Sequence, residues 1–507
     1  MTATTDRNRD TLDTLDTLDR AALIGADAAA LARADRVIAD IGLPSDGIGV
    51  DDPATGERIA VVPDQDARTA LDVVRTADSA GRAWARTTTR QRADVLHRWY
   101  ELLVQHGEDL AHLISREMGK PLAEARGEVK YGTDFVRWYA EEAVRPGGGF
   151  REAPDGGALI LTRRAPVGLA VLITPWNFPL AMATRKIAPA LAAGCAAVVK
   201  PATLTPLTTI FAVRLAREAG VPEDLVQVVT TVDSAAFSEA VLRDERTRKV
   251  SFTGSTPVGR RLLALAGERV LRSSMELGGN APLIVFDDAD LDRAVEGTFA
   301  AKMRNGGQSC IAANRIFVHD RIADAFVEAL ATKLAAAPRG HGLGRGTVLG
   351  PLIDERAVAQ MTRLTDDAVA RGARLLTGGE ALGGAGHFFP ATLLDRVPSD
   401  AEIADVEIFG PVAAVQRFSD EEEVVARANA TDVGLAGYVF TESLDRALNV
   451  ADRLETGLVG INQGVPSNAA APFGGVKQSG LGREGSAEGL EEYQDVRFYN
   501  IARRPTH

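Results

Sequence analysis

From Val167 to about Asp287, short apolar β-rich runs alternate with helical segments: GLAVLIT, CAAVVK, LVQVVT, KVSFTG and PLIVFDD. A strand written as an unbroken apolar run is buried on both faces, and strands separated by a helix-length connection pair in parallel. This stretch therefore predicts a parallel α/β sheet covered by helices. A second series begins at Ala289 with IFVH, continues through a long helix and ARLLTGG, and ends with LVGIN. The chain thus reads as two α/β domains in tandem. Ahead of them, Ala21 to Gly42 is one helical pattern, and Val50 to Pro63 reads as two strands about a turn at Pro53 to Gly56. Long helices are predicted from Asp66 to about Arg145, stopped by Gly147-Gly148-Gly149. The turn Asp155-Gly156-Gly157 beside LILT predicts a protruding hairpin at 151–166.

Size and charge remove several classes of function. With 507 residues the chain is long enough for two to four domains at roughly 150 residues each, and for a large core without staples. Its 57 basic and 69 acidic side chains leave a net charge of −12, which argues against a nucleic-acid partner. Only Cys195 and Cys310 are present, so no disulfide framework is possible and a reducing cytoplasm is expected. Seven histidines without an HExxH pattern give no metal site. The longest nearly apolar run, Ile187 to Val199, has 13 residues and contains Pro189, where about 20 are needed to cross a membrane. The N-terminal residues lack an apolar core and are rich in Asp, so they read as a solvated tail and not as a signal peptide.

Two glycine-rich stretches invite a phosphate-binding reading. Gly480-Leu-Gly-Arg-Glu-Gly485 fits GxGxxG, but only 22 residues follow Gly485, too few for the βαβ unit of roughly 30 residues that the fingerprint requires. It reads as a turn-rich loop. In Val250 to Gly259 a strand runs into Thr253-Gly254-Ser255 and a helix opens with Pro257. Backbone N–H groups at such a start can hold a pyrophosphate, although an ordinary strand–helix turn looks the same. Cys310 follows two glycines and the polar pair Gln308-Ser309, which suits a bent loop presenting a thiol. Cys195, among alanines, reads as a buried small hydrophobe. Glu276, at an apolar strand end beside Gly278 and Gly279, is either a desolvated general base or half of a structural ion pair.

Taken together, Pro175-Trp-Asn-Phe-Pro179, Lys200-Pro-Ala202, Phe252-Thr-Gly-Ser255, Glu276-Leu-Gly-Gly-Asn280, Gly307-Gln-Ser-Cys310, Glu407-Ile-Phe-Gly-Pro411 and Pro472-Phe-Gly-Gly475 resemble the aldehyde dehydrogenase superfamily from about Ile48 onward. The resemblance implies a Rossmann-like coenzyme domain (46–142 plus 166–278), a catalytic domain (279–484) and a β-rich oligomerisation arm (143–165 plus 485–507), after an N-terminal tail and helix (1–45). It implies Cys310 as the nucleophile, Asn177 as an oxyanion donor and Glu276 as the base that activates the hydrolytic water. It places Trp176, Gly254 and Ser255 at the coenzyme phosphates, Leu277, Glu407 and Phe409 at the nicotinamide end, and Lys200 at the adenosine ribose. Thr203 stands where NAD-preferring members usually carry Glu, so NADP is the expected coenzyme with NAD also usable.

Within the superfamily, Gly119 to Arg145, Glu276 to Gly297 and Pro472 to Ser486 read most like the succinate-semialdehyde dehydrogenases. That resemblance implies a substrate carboxylate held by Arg185, Arg304 and Ser467, with ordinary salt bridges as the alternative for the two arginines. Competing expectations are another aldehyde, glutarate semialdehyde or a simple aliphatic one, and a catalytically silent scaffold on the same fold. Ala312 stands where some relatives have a second cysteine, so no local disulfide switch is expected. A homodimer or homotetramer is implied.

Overall fold

The computed structural model describes residues 23–145 and 147–503. The first parallel sheet runs, from one edge, through Arg272–Glu276, Thr247–Thr253, Leu169–Ile173, Ala197–Lys200 and Val226–Val228. Every residue of Leu169–Ile173 and Ala197–Lys200 is buried, as their unbroken apolar sequences require. The chain moves outward from Leu169–Ile173 through two further strands, then returns to lay Thr247–Thr253 on its other side. That reversal opens a crevice at the carboxyl ends of Leu169–Ile173 and Thr247–Thr253, where open α/β sheets bind their ligands.

The second sheet has seven strands in the order Arg374–Thr377, Thr392–Asp395, Val412–Phe418, Arg315–His319, Pro282–Val285, Ala436–Phe440 and Leu458–Ile461. The strand PLIVFDD, which the sequence pattern attaches to the first series, lies inside this second sheet, paired with Arg315–His319 and Ala436–Phe440. The two-residue strand Gly480–Leu481 is the converse case. It falls within the stretch expected to be catalytic, yet pairs antiparallel with Glu276 and Met275 and closes the edge of the first sheet. A third, three-stranded antiparallel sheet joins Gly149–Glu152, Ala158–Pro166 and Gln494–Ala502. Phe150, Val496, Phe498 and Ile501 are exposed on it.

Helices Ala67–Trp84, Thr89–Gln105, Gly107–Met118 and Leu122–Glu142 cover the first sheet, the second opened by a capping box between Thr88 and Gln91. Trp84 and Trp99 donate their indole N–H groups to the carbonyls of Leu191 and Ala212, which ties this layer to the helices beneath it. The N-terminal helix spans Ala28–Ile41 and not the whole of Ala21–Gly42. Asp27 stops it from starting earlier, because its carboxylate accepts from the N–H groups of Ala29 and Ala30 and caps the first turn. The expected solvated tail lies outside the described residues. The apolar run at 187–199 is divided between the helix Pro179–Ala193, its Gly194 cap and the strand Ala197–Lys200. No helix among the described residues is long and apolar enough to cross a membrane.

The junction between the sheets is close-packed at Gly457, where an added Cβ would lie 1.7 Å from the Gly474 carbonyl oxygen. Gly457→Ala is expected to destabilise the protein by about 1–3 kcal/mol or more, since a backbone must move. Gly267→Ala, in the open last turn of the helix Thr256–Glu268 with nothing within 4 Å of the new Cβ, should instead stabilise by about 0.5–1 kcal/mol. Urea unfolding of the two variants checks both signs.

Candidate active site

A cavity of about 250 Å³ opens at the crevice and is walled by loops from both sheets. The loop after Leu169–Ile173 contributes Trp176 and Asn177, the loop after Thr247–Thr253 contributes Gly254 and Ser255, and the end of Arg272–Glu276 contributes Glu276 and Leu277. From the other side come Arg304, Cys310, Glu407, Phe409 and Ser467, while Arg185 reaches in from the helix Pro179–Ala193. Of the residues singled out in the sequence, only Lys200 and Thr203 lie outside this cavity.

Cys310 is presented by a loop that the sequence could make only with its glycines. Asn305, Gly306 and Gly307 are all left-handed, with φ of 55°, 60° and 74°. A Cβ on Gly307 would lie 2.1 Å from the Gly410 carbonyl oxygen. The Cys310 thiol is pushed up to about 12, first by burial and then by the Glu407 and Glu276 carboxylates, with Arg185 opposing. The Cys310 side chain therefore rests as a neutral thiol. Asn177 donates through Nδ2 to the carbonyl of Gln308 at 3.0 Å and accepts at its own carbonyl from Asn305 Nδ2 at 3.0 Å. These bonds fasten the Trp176–Asn177 loop to the Cys310 loop.

Glu276 is buried, and its Oε2 has no hydrogen-bond partner among the described residues. Burial raises its carboxyl well above the usual range, the nearby Glu484 charge adds to this, and Arg185 and Lys186 pull the other way. Gly474 makes room for it, since a Cβ there would lie 2.9 Å from Glu276 Oε1. Glu407 receives the Gly279 N–H at 3.2 Å and is raised to about 7 by burial. Trp176 and Phe409 meet edge to face with centroids 5.5 Å apart, Phe409 being held at a φ of 53°.

The two arginines differ. Arg185 is ion-paired with Glu484 and lies over the Phe473 ring at 4.5 Å and the Phe135 ring at 5.9 Å, so its charge is already compensated. This is the salt-bridge alternative in part, although the side chain still lines the cavity. Arg304 stacks on Phe178 at 4.9 Å and has no carboxylate ion pair among the described residues. Together with Ser467, Tyr131 and Phe178 it also lines an adjoining cavity of about 540 Å³.

The residue that sequence reasoning missed is Glu484. It lies inside the GxGxxG stretch, where positive φ at Gly480, Gly482 and Gly485 bends the chain. Its buried carboxylate engages both Arg185 and Lys186. The available signal was the one that marked Glu276, a carboxylate bracketed by glycines. Lys302 was also missed: it is buried without a hydrogen-bond partner for Nζ, and burial lowers it to about 7 against the pull of Glu407.

Polar groups are left free at the strand ends where the sequence expects the coenzyme. Ser255 caps the helix Thr256–Glu268 without using its side chain on the first-turn N–H groups, and Thr253 Oγ1 is buried without a partner. Lys200 ends the strand Ala197–Lys200, buried and with no carboxylate partner among the described residues, and burial lowers it to about 8. Thr203 is half-buried in the turn that follows. Thr205 ties that turn to the Trp176 carbonyl at 3.1 Å.

The sequence profile of the aldehyde dehydrogenase family matches residues 43–499. A succinate-semialdehyde dehydrogenase of Paenarthrobacter nicotinovorans is 50% identical over 88% of this chain and 98% of its own length. A glutarate-semialdehyde dehydrogenase of Pseudomonas putida is 47% identical over 90% of this chain and 94% of its own. The crystal structure of an NADP-dependent enzyme of E. coli superposes with a TM-score of 0.89 at 45% identity, covering 90% of this chain and 95% of that one.

Alkylation tests the state of the thiol. In the coenzyme-free protein, Cys310 should react slowly with iodoacetamide at pH 7, and the rate should climb about tenfold per pH unit through pH 10, because only the thiolate reacts and burial holds the thiol protonated. Mass spectrometry of the alkylated peptide measures this, and a rate plateau near neutrality would contradict it.

Proposed function

The chain belongs to the aldehyde dehydrogenase family, and on that premise we propose that it oxidises succinate semialdehyde to succinate with NADP as the favoured coenzyme and NAD also usable. The observation that carries the substrate assignment is Arg304. It is a guanidinium with no carboxylate ion pair among the described residues, in the wall of the cavity that holds Cys310. A short aldehyde with a carboxylate at its far end supplies the missing anion, and Ser467 adds a hydroxyl beside it.

The arrangement of these side chains supports the following chemistry. The Cys310 thiol gives its proton to the Glu276 carboxylate, which passes it to solvent, as Sγ forms a bond to the aldehyde carbon and the carbonyl oxygen becomes an oxyanion facing the Asn177 amide and the Cys310 N–H. A bound nicotinamide coenzyme supplies the two-electron acceptor that turns this thiohemiacetal into a thioester. Glu276 Oε2, unpaired and held basic by burial, takes a proton from water as that water attacks the thioester carbon. The S–C bond breaks, succinate leaves, and the proton returns to Cys310 as the thiol. The convergence of Cys310, Asn177 and Glu276 on one cavity speaks against a silent scaffold.

The NADP preference rests on the strand end at Lys200 and Thr203. A carboxylate at 203 would accept from the ribose hydroxyls and repel a 2′-phosphate, whereas Thr203 leaves the buried Lys200 cation available to pair with it. Glutarate semialdehyde is the second reading. It is favoured by the adjoining cavity beyond Arg304 and by the 47% identical relative, and one methylene discriminates only modestly. The apolar side chains exposed on the three-stranded arm support a homodimer or homotetramer, and two unpaired cysteines support a reducing cytoplasm.

Initial rates on succinate semialdehyde should be at least as high with NADP as with NAD, measured at the reduced-nicotinamide absorbance. Thr203→Glu should raise KM for NADP about tenfold or more while sparing NAD. Arg304→Ala should lower kcat/KM for carboxylated aldehydes by roughly 10- to 100-fold and leave uncharged aldehydes nearly unchanged. Equal losses on both substrate classes would make Arg304 structural.

A further inference from the structure

The stretch Gly119-Lys-Pro-Leu-Ala-Glu-Ala-Arg-Gly-Glu128 carries three charged residues at intervals of four, Lys120, Glu124 and Glu128, at and just before the start of the helix Leu122–Glu142. Four-residue spacing advances about 40° around a helix, so Glu124 and Glu128 share one face, and Lys120 lies in the segment that leads into it. All three engage backbone of the two loops that face each other across the cavity. Lys120 Nζ donates to the Asn177 carbonyl at 2.8 Å and to Glu128 Oε2 at 2.5 Å, and lies 3.9 Å over the Phe178 ring. Glu128 Oε1 accepts from the N–H groups of Leu180 and Ala181 at 2.9 and 3.2 Å, the exposed donors of the first turn of Pro179–Ala193. Glu124 accepts the N–H of the left-handed Asn305 at 2.5 Å. The side chains of Lys120 and Glu128 are completely buried.

A fully buried ion pair contributes little net stability over an apolar replacement, and breaking one side of it is costly. Its value here is geometric. The pair grips the segment 177–181 from both ends, the carbonyl of Asn177 on one side and the N–H groups of Leu180 and Ala181 on the other. Asn177 itself is left with one N–H on Gln308 and an unpartnered Oδ1. Among the described residues, Lys120 is the one charged side chain that hydrogen-bonds the Asn177 peptide.

We propose that Lys120, held by Glu128, is a positioning residue for the oxyanion site, fixing the Asn177 peptide so that its amide meets the oxygen of a substrate attacked by Cys310. The proposal rests on the reading of Asn177 as an oxyanion donor. Lys120 touches neither substrate nor reacting atom and acts through Asn177 alone.

Two reactions of Cys310 in the coenzyme-free protein separate this role from general damage. Acylation by p-nitrophenyl acetate passes through an oxyanion, whereas alkylation by iodoacetamide displaces iodide at a saturated carbon and forms none. Lys120→Met should slow acylation about 10²-fold while alkylation stays within about twofold. Because Lys120→Met strands a buried carboxylate, the neutral double variant Lys120→Met/Glu128→Gln keeps the test decisive if the single variant does not fold. It too should lose acylation selectively. Asn177→Ala, with Asn177 read as the donor, should match that selective loss. Parallel loss of both reactions in a folded Lys120 variant, or no loss of acylation, would overturn the positioning role. If Asn177→Ala leaves acylation intact, the donor reading falls and the proposal falls with it. A selective loss in Asn177→Ala without one in the Lys120 variants overturns the proposal alone.

Discussion

The return of the chain at 477–484 onto the edge of the first sheet is the contact on which the site depends. Gly480 pairs with Glu276 and Leu481 with Met275, while the Leu277 N–H donates to the Ser479 carbonyl at 2.8 Å. Ser479 Oγ donates to the Gly278 carbonyl and accepts the Gly434 N–H, so one hydroxyl joins the strand end that carries Glu276 to the short strand Val433–Gly434, just ahead of Ala436–Phe440 of the second sheet. The same return delivers Glu484 to Arg185 and Lys186 and, through paired backbone bonds with Phe473, fixes a wall of the cavity. Two buried cations sharing one carboxylate are tolerable only while that carboxylate is in place. The register of a two-residue strand thereby governs the charge around Glu276.

Burial then sets the protonation of nearly every group in the site. Cys310, Glu276 and Glu407 are pushed up and Lys200 and Lys302 are pushed down, in each case with desolvation as the largest cause. Arg304 is the cation in the cavity wall without a carboxylate ion pair among the described residues. In a medium of low dielectric, a substrate carboxylate or a coenzyme phosphate is felt strongly by such groups, because little else screens it.

The helical layer contributes by the same physics. Glu117 accepts from the N–H groups of Leu207 and Thr208, as Glu128 does from Leu180 and Ala181. Two buried carboxylates from neighbouring helices thus cap the helices that follow the strands Leu169–Ile173 and Ala197–Lys200, placing their first turns at the carboxyl ends of the sheet. Burial raises Glu117 to about 8, which is the desolvation cost of capping from the interior.

Much of this was legible in the chain itself. Unbroken apolar strands between helix-length segments determined a parallel α/β architecture, and glycines near Cys310 and Glu276 marked a bent loop carrying a thiol and a buried carboxylate, because backbone conformation and local burial are written in neighbouring residues. Helix starts were less legible, since Asp27 decides one through its own cap. What only the tertiary structure decided are relations between distant segments. Pro282–Val285 joined the second sheet, Gly480–Leu481 joined the first, Arg185 found Glu484, and Lys120 found the Asn177 carbonyl. Periodicity specifies which face of an element is buried but not which element covers it. That choice is made by packing and charge compensation between residues up to about three hundred positions apart.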